Sequence, residues 1–240
     1  MRRLILFDID GTLLATDGAG RRAFERCLVQ FFGRTGPIDT YDFHGKTDPQ
    51  IVYELLDPEG RSRLEIDARL PDFWAAYGAA LSEELAVSGR KGGVRLLPGV
   101  RALLDHLRAR GDAVLGLLTG NVEAGARLKL GAAGLEGVFA FGAYGSDSAV
   151  RTELPPVALS RAREHTGRRF EGRDVVIVGD TPDDVACARV AGAHGVAVAT
   201  GRHDAGALRA AGADVVLESF LDLVRAVRAL CGDGDSRRAF

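Results

Sequence analysis

A chain of 240 residues can form one α/β domain or a main domain with a smaller one inserted into it. With 46% hydrophobic and 27% charged residues it reads as globular, and a formal net charge of −2 argues against a broad basic surface for nucleic acid or an anionic membrane. Cys27, Cys187 and Cys231 are scattered, with neither a CxxC pair nor a zinc spacing, which points to a reducing, cytoplasmic setting. The apolar run after the initial "MRR" stops at Asp8, too early for a signal peptide, and no later run is long enough to span a bilayer.

The first predicted element lies in "RLILFDIDGTLL", residues 3–14. Leu4 to Phe7 form a short continuous apolar run, the pattern of a strand covered on both faces. In an extended chain alternate side chains share a face, so Asp8 and Asp10 stand side by side while Ile9 turns to the core. Two adjacent carboxylates are either solvated at an exposed strand end or gathered around a cation or proton.

Residues 15–96 read as helical, with segments near 19–32, 48–56, 59–69 and 71–88 and no convincing strand. Thr47 or Asp48 can cap a helix that has Pro49 in its first turn. From residue 97 onward strands and helices alternate. Helices are expected at 98–110, 121–130, 155–165, 182–191, 202–211 and 220–230. Strands fall in "AVLGLLTGN", "VFAFGAYGSD", "DVVIVGDTPDD", "GVAVAT" and "ADVVLES". That alternation implies an α/β fold with a Rossmann-like, mainly parallel sheet and helices on both faces. The economical division is an α/β core of residues 1–14 and 97–240 and an inserted helical domain of 15–96, hinged near 14–18 and 90–97. The tail "GDGDSRRAF" is expected to fray.

Open parallel sheets bind ligands beyond the carboxyl ends of their strands. Four predicted strand ends carry polar residues: Asp8 and Asp10; Thr119, Gly120 and Asn121; the loop 146–154 with Arg151; and Asp180, Asp183 and Asp184. Singly, "TGN" and "GDTPDD" are also good helix caps. Together they place hard oxygen ligands, a hydroxyl donor and a cation at one sheet edge, which describes a Mg²⁺-assisted phosphate site. Thr119 and the amides that follow it can donate to phosphoryl oxygens, and a carboxylate can attack phosphorus once the charge of the transferring group is neutralised.

"DIDGT", "LLTGN" and "IVGDTPDD" resemble, in order and spacing, motifs one, two and four of the haloacid dehalogenase superfamily, with a helical insert similar to the cap of its phosphoglycolate phosphatase-like members. The resemblance implies hydrolysis of a small phosphorylated metabolite through an aspartyl-phosphate. It makes Asp8 the nucleophile and Asp10 the general acid/base. Asp8, the backbone carbonyl of Asp10 and Asp180 would hold Mg²⁺, with Asp184 in direct contact or one layer out, and Asp183 would be a bystander at the helix start.

The third motif usually supplies a lysine. Here "RTELPP" puts Arg151 in that place, while Lys129, within a helix, and Lys91, near a hinge, are no evident substitutes. In the cap loop "HGKTDPQ", His44, Lys46 and Thr47 can close over the site, with Lys46 either meeting an anionic substrate tail or remaining solvated. The alternatives are a sugar phosphomutase, a phosphonate hydrolase using Lys46, and a phosphate-binding protein without turnover.

Overall fold

The structure is a computed structural model and describes residues 3–57 and 60–232. Its centre is β1 (Arg3–Phe7), whose four apolar residues Leu4, Ile5, Leu6 and Phe7 are completely buried. Parallel neighbours lie on both sides, β4 (Ala113–Leu118) and β6 (Val175–Gly179). Beyond them the sheet is completed by β5 (Gly142–Ala143), β7 (His194–Val198) and β8 (Val215–Leu217), giving the parallel order β5-β4-β1-β6-β7-β8.

Alternating side chains of β1 feed two cores. Ile5 and Phe7 pack with Leu103 and Leu107 of α5 (Val100–Arg110) and Leu230 of α10 (Leu223–Cys231). Leu4 and Leu6 pack with Leu154 and Ala158 of α7 (Leu154–Thr166) and Cys187 of α8 (Pro182–Val190). A strand buried on both faces has no room for a polar alternate, which is why its sequence is one apolar run. The chain runs outward from β1 through β4 to β5, then returns to β6 and leaves the other way. The carboxyl end of β1 therefore faces the crevice at the switch point of the topology.

The predicted strand in "VFAFGAYGSD" is only the two residues of β5. It pairs with β4 on one side alone; beside it the Phe141 carbonyl accepts from the Leu117 amide of β4 at 3.1 Å, and Tyr144 is buried by packing. The helices α6 (Glu123–Ala132) and α9 (Ala205–Ala210) complete the α/β part.

Between β1 and α5 lie α1 (Ala19–Phe32), α2 (Asp48–Leu56), α3 (Arg63–Asp67) and α4 (Leu70–Arg90), which share a core of their own around Phe24, Leu28, Phe73, Tyr77 and Leu81. The helix expected over 59–69 is confined to α3, which begins at a Ser62–Glu65 capping box; residue 59 lies outside the described residues, as does most of the tail. Contrary to expectation the segment is not strandless at its borders. β2 (Leu14–Ala15) and β3 (Arg95–Leu96) form a two-residue antiparallel ribbon where the chain leaves and rejoins the α/β part. Ladders that short show no period in a sequence.

The start of α2 reaches across to the sheet edge. The Asp48 amide donates to the Gly120 carbonyl at 2.7 Å, the Val122 amide donates to Asp48 Oδ2 at 2.7 Å, and the Thr47 hydroxyl donates to the Ala149 carbonyl at 2.7 Å.

Candidate active site

At the end of β1 the Asp8 amide donates to the Val178 carbonyl of β6 at 2.9 Å, so the ladder itself fixes the start of the loop that follows. The loop turns at Gly11, whose φ of +79° suits glycine, and a Cβ there would stand 2.3 Å from Asp180 Oδ2. One residue on, the Thr12 hydroxyl donates to Asp180 Oδ1 at 2.9 Å. Asp180 and Thr181 follow β6 directly. Thr181 caps α8 in a box with Asp184, which orients that acid inward.

Arg151 arrives from the short 3₁₀ turn Arg151–Glu153 ahead of α7. Its guanidinium donates to Asp184 Oδ1 at 2.6 Å and lies 3.2 Å from Asp8 Oδ1. Asp8, Asp180, Asp184 and Arg151 are all buried, and one carboxylate oxygen from each acid lies within 4.8 Å of the others. One guanidinium thus faces three carboxylates. Burial, opposed by Arg151 and reinforced by the charge on Asp184, pushes the Asp8 carboxyl up to about 6. Burial and the charges of Asp184 and Asp8 hold Asp180 well above the usual carboxylate range.

Three hard oxygen donors with too little positive charge among them are the donor chemistry of a divalent cation such as Mg²⁺. Asp180 Oδ2 carries the clearest sign: it is buried with no hydrogen-bond partner among the described residues. Asp184 differs, because Oδ1 accepts from Arg151 and Oδ2 accepts from the Thr181 amide at 3.1 Å and hydroxyl at 2.7 Å. Asp183 is exposed beside this cluster, against Gly45 of the loop before α2.

Asp10 belongs to a second cluster. Its Oδ2 accepts from Asn121 Nδ2 at 2.8 Å and from Lys129 Nζ at 2.6 Å, and Lys129 also donates to Asn121 Oδ1 at 2.6 Å. Asn121 Nδ2 donates in turn to the buried Thr119 hydroxyl at 2.8 Å. Gly120 between them leaves space for the helical segment, since a Cβ there would meet the Lys46 carbonyl oxygen at 2.0 Å.

Lys129, which by its place within a helix is no evident substitute for a third-motif lysine, nevertheless sits at the site. A signal was available. Val122, Ala126 and Leu130 make a buried stripe along α6, and Lys129 falls on that stripe. A lysine on the apolar side of a helix needs a buried partner.

Both clusters border a cavity of about 340 Å³ between the sheet edge and the helical segment. Phe24, Phe43 and Tyr77 form much of its far wall, and the Tyr77 hydroxyl is buried with no hydrogen-bond partner among the described residues. Lys46 reaches the same cavity but is engaged there, in an ion pair with Glu54 and with its ammonium 4.8 Å from the centre of the Tyr41 ring. His44 Nδ1 lies 2.6 Å from Asp42 Oδ1 in the adjoining loop. A buried carboxylate next to a guanidinium, a second acid beside it and a small cavity over both can together capture and cleave a phosphate ester.

Comparison with known proteins agrees with this chemistry. The chain is 29% identical to a phosphoglycolate phosphatase of Rhodospirillum rubrum over 80% of its own length and 77% of the relative's. It is 28% identical to a phosphoglycolate phosphatase of Nitrosospira multiformis over 94% and 96% of the two chains. Among solved structures, a hydrolase from Pseudomonas syringae has the same fold, with a TM-score of 0.68 at 20% identity, covering 95% of this chain and 98% of that one. The family model for haloacid dehalogenase-like hydrolases matches residues 5–189, from the middle of β1 to the end of α8, and with both acid clusters inside that match the chain belongs to this family and is an enzyme of its phosphatase type.

Proposed function

We propose that the protein is a Mg²⁺-dependent phosphatase that hydrolyses a small phosphate monoester through an aspartyl-phosphate on Asp8. The observation that carries the reading is the position of the Asp8 carboxylate, buried at the cavity floor between Arg151 and two further acids, with Asp10 on the adjoining wall. Asp8 and Asp180 would hold the ion, with the Asp10 backbone carbonyl, and Asp184 supports them by fixing Arg151. Bound there, Mg²⁺ supplies charge neutralisation to the acids and to the transferring phosphoryl group.

The remaining steps belong to the side chains. Arg151 holds the Asp8 carboxylate and a phosphoryl oxygen together against their mutual repulsion, which a planar fork does for two oxygens at once. Asp8 Oδ attacks phosphorus as the ester oxygen leaves with a proton from Asp10. Asp10 then takes a proton from the water that releases phosphate and restores Asp8. Thr119 and the amides of Gly120 and Asn121 would donate to the phosphoryl oxygens, and hydrogen bonds from Asn121 to Thr119 and to Asp10 support tying this donor to the acid.

Residues 15–96 would act as a cap on hinges near 14–18 and 90–97, docked through Thr47 and Asp48. The names of the relatives make 2-phosphoglycolate the first substrate to try. Three scattered cysteines without a CxxC pair fit a reducing cytoplasm. The engagement of Lys46 with Glu54 speaks against a phosphonate hydrolase, which needs a free amine for its Schiff base.

The test is turnover of an activated aryl phosphate and of 2-phosphoglycolate with Mg²⁺, after chelation, and after Asp8→Asn. Activity should require the metal, and the amide should lower turnover on the order of 10⁴-fold or more. Undiminished activity in chelator, or an Asp8→Asn enzyme near the parent rate, would refute the reading.

A further inference from the structure

Lys129 is one of three lysines in the chain and is buried at the site, with a side-chain exposure of 8%. Taking an ammonium out of water is costly, so its acceptors must hold it firmly; they are Asp10 Oδ2 and Asn121 Oδ1, both at 2.6 Å. The partner it holds is different in character. The Asp10 side chain is 43% exposed toward the cavity and, unaided, would be free to rotate there. Two donors, Lys129 Nζ and Asn121 Nδ2, converge on the same oxygen, Oδ2. A proton carried by Asp10 therefore sits on the other oxygen, Oδ1.

From this geometry we infer that Lys129 is a positioning residue: it locks the Asp10 carboxyl so that Oδ1 delivers its proton to the ester oxygen. The inference rests on the reading of Asp10 as general acid/base. In the step concerned, the bond from Asp8 Oδ to phosphorus forms, the bond from phosphorus to the ester oxygen breaks, and the Asp10 proton passes to the departing oxygen. Lys129 neither gains nor loses a proton. It acts through Asp10, and Asn121 completes the triangle by binding both partners.

A misplaced acid harms poor leaving groups most, because a stable phenolate departs without a proton and a basic one does not. The experiment compares kcat/KM for 4-nitrophenyl phosphate and for phenyl phosphate at saturating Mg²⁺, in the parent, Lys129→Met and Asp10→Asn. That ratio reports steps only through phosphoryl transfer, so slow release of the phosphoenzyme does not mask it. Lys129→Met should lose roughly tenfold on 4-nitrophenyl phosphate and about a further tenfold on phenyl phosphate, within the range of general acid contributions. Asp10→Asn should show the same excess loss, larger in size.

Equal losses on the two substrates in Lys129→Met, with the excess present in Asp10→Asn, overturn the role of Lys129 alone. No excess in Asp10→Asn overturns the acid assignment on which it rests. If the Met variant does not fold, Lys129→Gln, close in volume and able to donate to Asp10, carries the same comparison. A smaller excess on phenyl phosphate supports the inference, and none overturns it.

Discussion

The two halves of the site are built on different physical terms. Around Asp8 every group is buried: Asp8 and Arg151 are 5% and 6% exposed, Asp184 is 3% and Asp180 is fully enclosed. There the charges do not balance, and the acids are held by backbone ladders, a helix cap and one guanidinium. Around Asp10 the acid is paired with Lys129, and it is itself half-exposed to the cavity. The imbalance of the first half is what a cation and a phosphoryl group would relieve, whereas the second half is complete before any ligand arrives. A group that must bind charge is best kept short of it, and a group that must move one proton is best held still.

Among the groups that surround Asp8, Arg151 should cost the most when removed. Arg151→Ala leaves three buried carboxylates facing one another and should lower kcat by roughly 10²- to 10³-fold, the cost of losing one preorganised charge partner. Arg151→Lys should keep part of the activity, since it retains the charge without the fork. Steady-state kinetics with a circular dichroism check on folding measures both, and an Ala variant as active as the parent would remove Arg151 from the site.

The comparison sharpens within the acid cluster. Asp180 has an orphaned oxygen, whereas both oxygens of Asp184 accept hydrogen bonds. Asp180→Asn should raise the Mg²⁺ concentration for half-maximal activity by about tenfold or more, with partial rescue at high metal. Asp184→Asn should shift that requirement less and depress kcat more, because Arg151 loses its anchor. Metal titrations of the two variants decide this, and identical profiles would contradict the distinction.

The smallest effect concerns the contact that joins the helical segment to the second half. Burial, opposed by Lys129, pushes the Asp48 carboxyl up to about 7. A folded-state value above the unfolded one favours the protonated acid in the fold. Its contribution is thus present at low pH and lost as pH rises from about 4 through 7. Asp48→Asn keeps an acceptor for the Val122 amide and needs no proton. Relative to the parent it should gain roughly 1 to 3 kcal/mol between pH 5 and pH 8, read from urea unfolding without metal. A difference that does not change with pH would show that Asp48 is ionised at no cost.

Much of this protein was legible along the chain. Continuous apolar strands, Gly and Pro at helix ends and acids placed after strands are local signals, since each follows from burial or capping within a few residues. Asp8, Asp10, Asp180, Asp184 and Arg151 stand out for that reason, and the parallel sheet follows from their alternation with helices. The two-residue ribbon of β2 and β3 and the brevity of β5 were not legible, because pairing over two residues leaves no period. Nor was the docking of Thr47 and Asp48, which depends on carbonyls and amides more than 70 residues away.

By itself, then, the sequence determined the longer elements, the family and the carboxylates at the strand ends, because these depend on side-chain type and short-range order. The tertiary structure alone decided which charges meet. It gave Arg151 to Asp8 and Asp184, tied Lys46 to Glu54, and brought Lys129 from the buried stripe of α6 to Asp10, 119 positions away in the chain. Ion pairs depend on distances of a few ångströms between remote segments, and the helix period that places Lys129 inward says nothing of the acid waiting there.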